Sequence, residues 1–154
     1  MDDVRLAQGL WLIEHVGGVI YERFAEKLDN RDIAGTFNRF AGHEHMHAEW
    51  YAAWLSARGH GVPAPSTCDS LIVPGVHFWL SPQSLDRKLR TFSATERTAA
   101  RHLAALARKV RDPELKAIIE RTLPYERMHA EWYERVGRRM LQPGEGERTS
   151  LTLE

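Results

Sequence analysis

The 154-residue chain has a single cysteine, Cys68. One thiol cannot make an intrachain disulfide, a C-x-x-C redox pair, or a cysteine zinc or iron–sulfur site. An excess of charge of either sign is also missing, because 21 Lys and Arg stand against 21 Asp and Glu. That balance argues against a surface built mainly to hold nucleic acid or an anionic membrane. Apolar runs are short, and none approaches the roughly 18 residues of a membrane-spanning helix. The acidic start Met1-Asp2-Asp3 and the brief run Leu10–Ile13 do not read as a secretory leader, so a cytoplasmic protein is the default expectation. The polar–apolar alternation that marks strands is absent. Hydrophobic residues at 43% and charged residues at 27% are those of a soluble globular domain, not of a disordered chain.

Proline and glycine fall mostly in clusters. Breakers occupy Asp29–Asp32, the stretch 58–82 and Arg111–Glu114, and Pro143-Gly144-Glu145-Gly146 opens the tail. Between them lie four segments with apolar residues at helical spacing: about 4–28, 33–57, 82–111 and 114–141. Ser81-Pro82 and Asp112-Pro113 each offer an N-cap followed by a first-turn proline. The expected fold is all-α: an antiparallel four-helix bundle over residues 1–142. It consists of two hairpins, 4–57 and 82–141, joined by a long crossover, 58–81, between the second and third helices. Residues 143–154 are expected to be a flexible tail. The apolar stretch Leu71–Leu80 is expected to pack along the bundle.

The chain repeats itself. Met46-His47-Ala48-Glu49-Trp50-Tyr51 returns as Met128-His129-Ala130-Glu131-Trp132-Tyr133, an offset of 82. Each copy contains Glu-x-x-His, as Glu44/His47 and Glu126/His129. At that spacing both side chains leave one face of a helix. The face is otherwise apolar: Phe37, Phe40, Ala41, Tyr51 and Trp54 in one copy, Ile119, Leu123 and Tyr133 in the other. A buried carboxylate without a partner costs several kcal/mol or takes up a proton. Each copy therefore calls for something inside the bundle to satisfy it.

The same offset pairs Glu14 with Glu96, and both are acids embedded in apolar stripes. Each precedes the Glu of its Glu-x-x-His by 30 residues, with the midpoint at a turn (Asp29 and Arg111). Folding each hairpin at its midpoint brings Glu14, Glu44, His47, Glu96, Glu126 and His129 to one level. Four carboxylates carry −4, which two divalent cations balance. The set suits two hard-to-borderline transition metals with coordination positions left open. Zinc alone more often recruits cysteine or a closed set of four ligands.

A Glu from each of two helices plus Glu-x-x-His from each of the other two resembles the ferritin-like di-iron carboxylate superfamily, across residues 14–129. Within it, the spacing of Glu14, Tyr21 and Ala25 looks like the rubrerythrin and bacterioferritin branch. The chain departs from rubrerythrin in lacking a rubredoxin-type cysteine module and in having Ala99 where a further acid would follow Glu96 by one turn. The compact spacing and the proline-containing apolar crossover look loosely like demethoxyubiquinone hydroxylase. The resemblance implies a ferritin-like bundle holding two Fe ions, with Mn as the alternative. In that arrangement Glu44 and Glu126 bridge the metals, Glu14 and Glu96 are terminal, and His47 and His129 each serve one metal.

The function that follows is a non-haem di-iron oxidoreductase acting with O2 or hydrogen peroxide. It would be either a rubrerythrin-like peroxidase or oxidase, or a hydroxylase of a small substrate. The electron donor is unspecified, and a homodimer is compatible with the sequence. The alternative is a ferritin-like iron-binding or ferroxidase protein for storage or detoxification. A structural bundle with a buried polar network is a third reading. Glu49 and Glu131 lie off the ligand stripe and are expected to face solvent. Tyr21, Tyr51 and Tyr133 fit either hydrogen-bond donors to the carboxylates or ordinary core residues. Ser93-Ala94-Thr95-Glu96 matches a capping box, but the apolar stripe through Leu85, Leu89 and Phe92 places Glu96 inside a helix. His43 and His45 are expected at the surface, and Pro124 is expected to kink the last helix. Gly17-Gly18 leaves room for a close helix approach or for a substrate.

Overall fold

A computed structural model describes residues 2–141, so the expected tail 143–154 lies outside the described residues. Among these residues there are five α-helices and no strand: α1 (Asp3–Ala25), α2 (Arg31–Ser56), α3 (Pro65–Leu80), α4 (Leu85–Ala107) and α5 (Pro113–Leu141). Four of the five helices start where a side chain satisfies free backbone N–H groups, and α3 starts at Pro65, which has no N–H to satisfy. Asp2 accepts from Val4, Asn30 from Asp32 and Ile33, and Ser84 from Arg87. Asp112 accepts from Glu114 and Leu115 ahead of Pro113, as its sequence predicts.

Two expectations are corrected. The crossover 58–81, expected as a breaker-rich connection between four helices, is mostly a fifth helix, α3, with Pro65 in its first turn and Pro74 inside it. A proline removes one helical hydrogen bond, but here tertiary packing prevails. Gly75 lets α3 press so closely on α1 that a methyl in its place would meet the Ile20 side chain at 2.4 Å. The next helix does not start at Ser81-Pro82. Ser81 instead ends α3, its hydroxyl donating to the Phe78 carbonyl at 2.6 Å, and Ser84 takes over as the cap of α4.

α1 packs on α2, α4 packs on α5, and the two hairpins meet along α2 and α5. The interior has three layers. At one end an aromatic cluster gathers Tyr21, Phe24, Phe37, Phe40, Phe92 and Tyr133. At the other end Leu10, Tyr51, Trp54, Leu55, Leu103 and Ile119 form a second apolar cluster. In every long helix the sequence passes from one cluster to the other through acids and histidines: Glu14 in α1, Glu44 and His47 in α2, Glu96 in α4, Glu126 and His129 in α5. The order of the clusters along the chain makes α1 antiparallel to α4, so α3 has to carry the chain back along the bundle.

Candidate metal centre

The structure brings together all six residues singled out by the repeat. Each is buried, at 5% exposure or less, in the layer between the two apolar clusters. Their potential ligand atoms form two groups, each with atoms within 4.8 Å of one another. One group is Glu14, Glu44, His47 and Glu126; the other is Glu96, Glu126, His129 and Glu44. Adding 82 to the first group's hairpin-one residues, and exchanging Glu126 for Glu44, produces the second. The sequence repeat is thus a spatial two-fold, with Glu44 and Glu126 common to both halves.

The histidines keep the paired partners, but the nearer carboxylate differs between the halves. His47 Nδ1 lies 3.0 Å from Glu14 Oε2 and 3.8 Å from Glu126 Oε1. His129 Nδ1 lies 3.3 Å from Glu44 Oε1 and 4.0 Å from Glu96 Oε2. On both histidines it is Nδ1 that faces the carboxylates. Glu44 Oε1, Glu126 Oε1, His129 Nδ1 and His47 Nε2 are buried without a hydrogen-bond partner. Unmet polar atoms of this kind are rare in protein interiors, and each costs about 1–3 kcal/mol. Three of the four converge on the shared layer, where a cation would satisfy them. The donor set, carboxylate and imidazole with no thiolate, suits such cations.

Electrostatics point the same way. Burial, and then the neighbouring carboxylates, hold Glu44 and Glu126 well above the usual carboxylate range. Burial also raises Glu96. Burial first, then His43 and His47, push His129 down to about 3, which keeps the imidazole neutral as a metal ligand must be. The metal-free interior therefore disfavours the charges that its own side chains carry, and bound cations would reverse that preference.

The surrounding residues divide the open readings. Tyr21 donates to Glu96 and so belongs to the site. Tyr51 meets the Thr122 hydroxyl instead, at 3.5 Å. Glu96 lies mid-helix in α4, which begins at Leu85, and caps nothing. Glu49 and Glu131 are exposed, as their off-stripe positions predict. Gly17 lies directly over the site, since a methyl on it would come 3.4 Å from Glu44 Oε2, while a methyl on Gly18 would strike the His45 ring.

His43 is a correction. It is half-buried rather than at the surface, stacked on His129 at a ring separation of 5.4 Å. Its Nδ1 lies 3.1 Å from His129 Nε2. One hairpin thus supports the histidine of the other, a contact that no spacing within a single helix can signal. The one available sign was a break in the repeat, where His43 aligns with Tyr125. His45 is partly exposed and meets Glu22 at 3.1 Å.

A family model described as Rubrerythrin matches residues 12–137, a span that contains all six clustered residues. No curated protein and no solved structure matches the chain.

Proposed function

The chain belongs to the rubrerythrin family, whose domain is of the ferritin-like di-iron carboxylate kind, and from that premise we propose that it is a di-iron oxidoreductase that uses O2 or hydrogen peroxide. One observation carries the reading: two overlapping groups of buried ligand atoms that share Glu44 and Glu126. A carboxylate common to two groups has the arrangement of a bridge between two metals. Glu14 with His47 would complete one metal's shell, and Glu96 with His129 the other's. A pair of iron ions there would supply the electron chemistry that side chains alone lack.

The chain's own part is to hold and to shield. His43 supports the His129 imidazole, Tyr21 orients Glu96, and apolar layers flank the cluster at both ends. No helix among the described residues is long and apolar enough to cross a membrane.

Metal analysis of the purified chain is the first test, with two irons per chain expected. Fe(II)-loaded protein should consume peroxide or O2 catalytically, and Glu126→Ala should lose both the second metal and turnover. Full metal content and turnover in that variant would overturn the assignment. Light scattering separates it from iron storage, for which a large mineralising cage is the required result.

A further inference from the structure

The two helices that supply Glu14 and Glu96 do not close on each other. α2 and α5 pack together, whereas the seam between α1 and α4 opens into a cavity of about 760 Å³. That volume is within the range of small-molecule sites, roughly 300–1,000 Å³. Its α1 wall runs from Leu10 to Tyr21, about 16 Å at the helical rise of 1.5 Å per residue. Phe78 of α3 lines it as well. Glu14, Glu44, Glu96 and Glu126 reach it from the bundle interior, so the cavity leads to the candidate centre.

The residues that keep it open are small and paired by the repeat: Gly17 and Ala99, 82 apart, both in the lining. Most of the remaining wall is apolar, with Leu10, Ile20, Phe92, Leu103 and Leu106. Ile13 at the mouth is 63% exposed, an apolar side chain left in water beside an apolar channel. The threonines of α4 do not make the wall polar. Thr91, Thr95 and Thr98 donate their hydroxyls to the carbonyls of Arg87, Thr91 and Ala94, within their own helix. Among the described residues no Lys or Arg lines the cavity, and Arg101 reaches Thr98 from the exposed side of α4. His102 is the one imidazole in the lining and is exposed, so an anionic headgroup placed against the cluster would meet four acids, with His102, six residues along α4 from Glu96, as its one counter-charge.

We propose that the α1–α4 cleft binds an uncharged, elongated, apolar organic molecule with one end against the carboxylate cluster. This names a ligand class for the site and rests on the reading of that cluster as the reactive centre. A channel serving only O2 or peroxide would need neither this length nor this volume.

The test is calorimetric titration of the full chain with 1-decanol, in metal-free and Mn(II)-loaded forms, with metal counted in the same samples. Saturable binding near one decanol per chain is expected, with a negative heat-capacity change from apolar burial. Decanoate should bind the metal-free chain at least tenfold more weakly. Ala99→Trp, which fills the cleft, should abolish decanol binding and leave metal stoichiometry unchanged. Ile13→Asp, at an exposed position that tolerates a charge, should weaken it at least threefold. The proposal is overturned if decanol does not saturate either form, if decanoate binds the metal-free chain as tightly, or if Ala99→Trp folds and binds decanol normally. A dimer in the ultracentrifuge that excludes decanol would also overturn it. Metal uptake without decanol binding removes this inference and leaves the di-iron reading; decanol binding without metal uptake does the reverse.

Discussion

His43 shows how much one residue can break a symmetry. The six clustered side chains obey the repeat, but their supports do not. His129 has His43 on its far nitrogen, whereas His47 Nε2 has no hydrogen-bond partner and faces Tyr125, the residue aligned with His43. With Nδ1 of His129 on a metal, its Nε2–H would donate to His43 and fix both tautomer and ring angle. The two metal positions should therefore differ in affinity. His43→Ala is expected to weaken the His129 side about 10- to 100-fold, the usual cost of losing such a support, and to spare the His47 side. Competitive Co(II) titration followed by absorbance reads this directly, as two separated binding steps in the wild type that draw together in the variant. Steps left unchanged by the substitution would show that His43 only fills space.

At the scale of the elements, the helix ends at the second apolar cluster are tied by Asp112. Its carboxylate caps α5, accepts from Trp54 Nε1 of α2 at 3.1 Å and pairs with Arg58 at 2.8 Å. Its own N–H donates to Asp3 of α1. The Leu115 N–H chiefly, with Trp54 and Arg58, holds this carboxyl down at about 2. A pKa depressed on folding contributes stability above the unfolded value and loses it as pH falls toward the folded one. Asp112→Ala should cost about 1 kcal/mol or more at pH 7, the typical loss of a cap. Urea melts at pH 7 and near pH 2 should show the gap between variant and wild type narrowing at the lower pH. A gap of constant size would mean that the carboxylate's charge is not what matters.

The whole molecule is a bundle with a frustrated centre. Glu44, Glu96 and Glu126 are raised on folding, chiefly by burial, so the metal-free folded state retains protons that the unfolded chain releases above about pH 4.3. Stability then falls as pH rises. His129 acts in the opposite sense, but only below about pH 6.5, where the unfolded imidazole gains a proton. From pH 6.5 upward the opposing contribution of the lowered imidazoles, His15 and His43 included, fades while the raised carboxylates act on, and the melting temperature of metal-free protein is expected to drop toward pH 8. Mn(II) should remove that drop, because the bound cations stabilise the ionised acids. At free metal a hundredfold above Kd each site adds about 2.7 kcal/mol. For a chain of this size each kcal/mol raises Tm by roughly 2–4 °C. Scanning calorimetry with metal and with a chelator checks both signs. A metal-free protein that becomes more stable across that pH range would contradict the buried acidic centre.

Much of this arrangement was legible in the sequence because it rests on short-range periodicity. Helical spacing located the four long helices, and Asp112-Pro113 marked the start of α5. The offset of 82, together with acids in apolar stripes, identified the six residues that meet in the middle layer. These features are local, or are repeated copies of something local, so the chain order alone determines them. What remained hidden depends on elements distant in sequence. α3 forms across Pro74 because Gly75 admits Ile20 of α1, and α4 starts late because Ser81 is used to end α3. His43 meets a histidine 86 residues away. The cleft exists because two helices fail to close, a property of how the hairpins dock rather than of either helix. The sequence by itself determined which side chains must be reconciled inside the bundle. Only the tertiary structure decided which of them share a group, which histidine is supported and which side of the centre is open, since those depend on distances between chains of atoms that no spacing within one helix encodes.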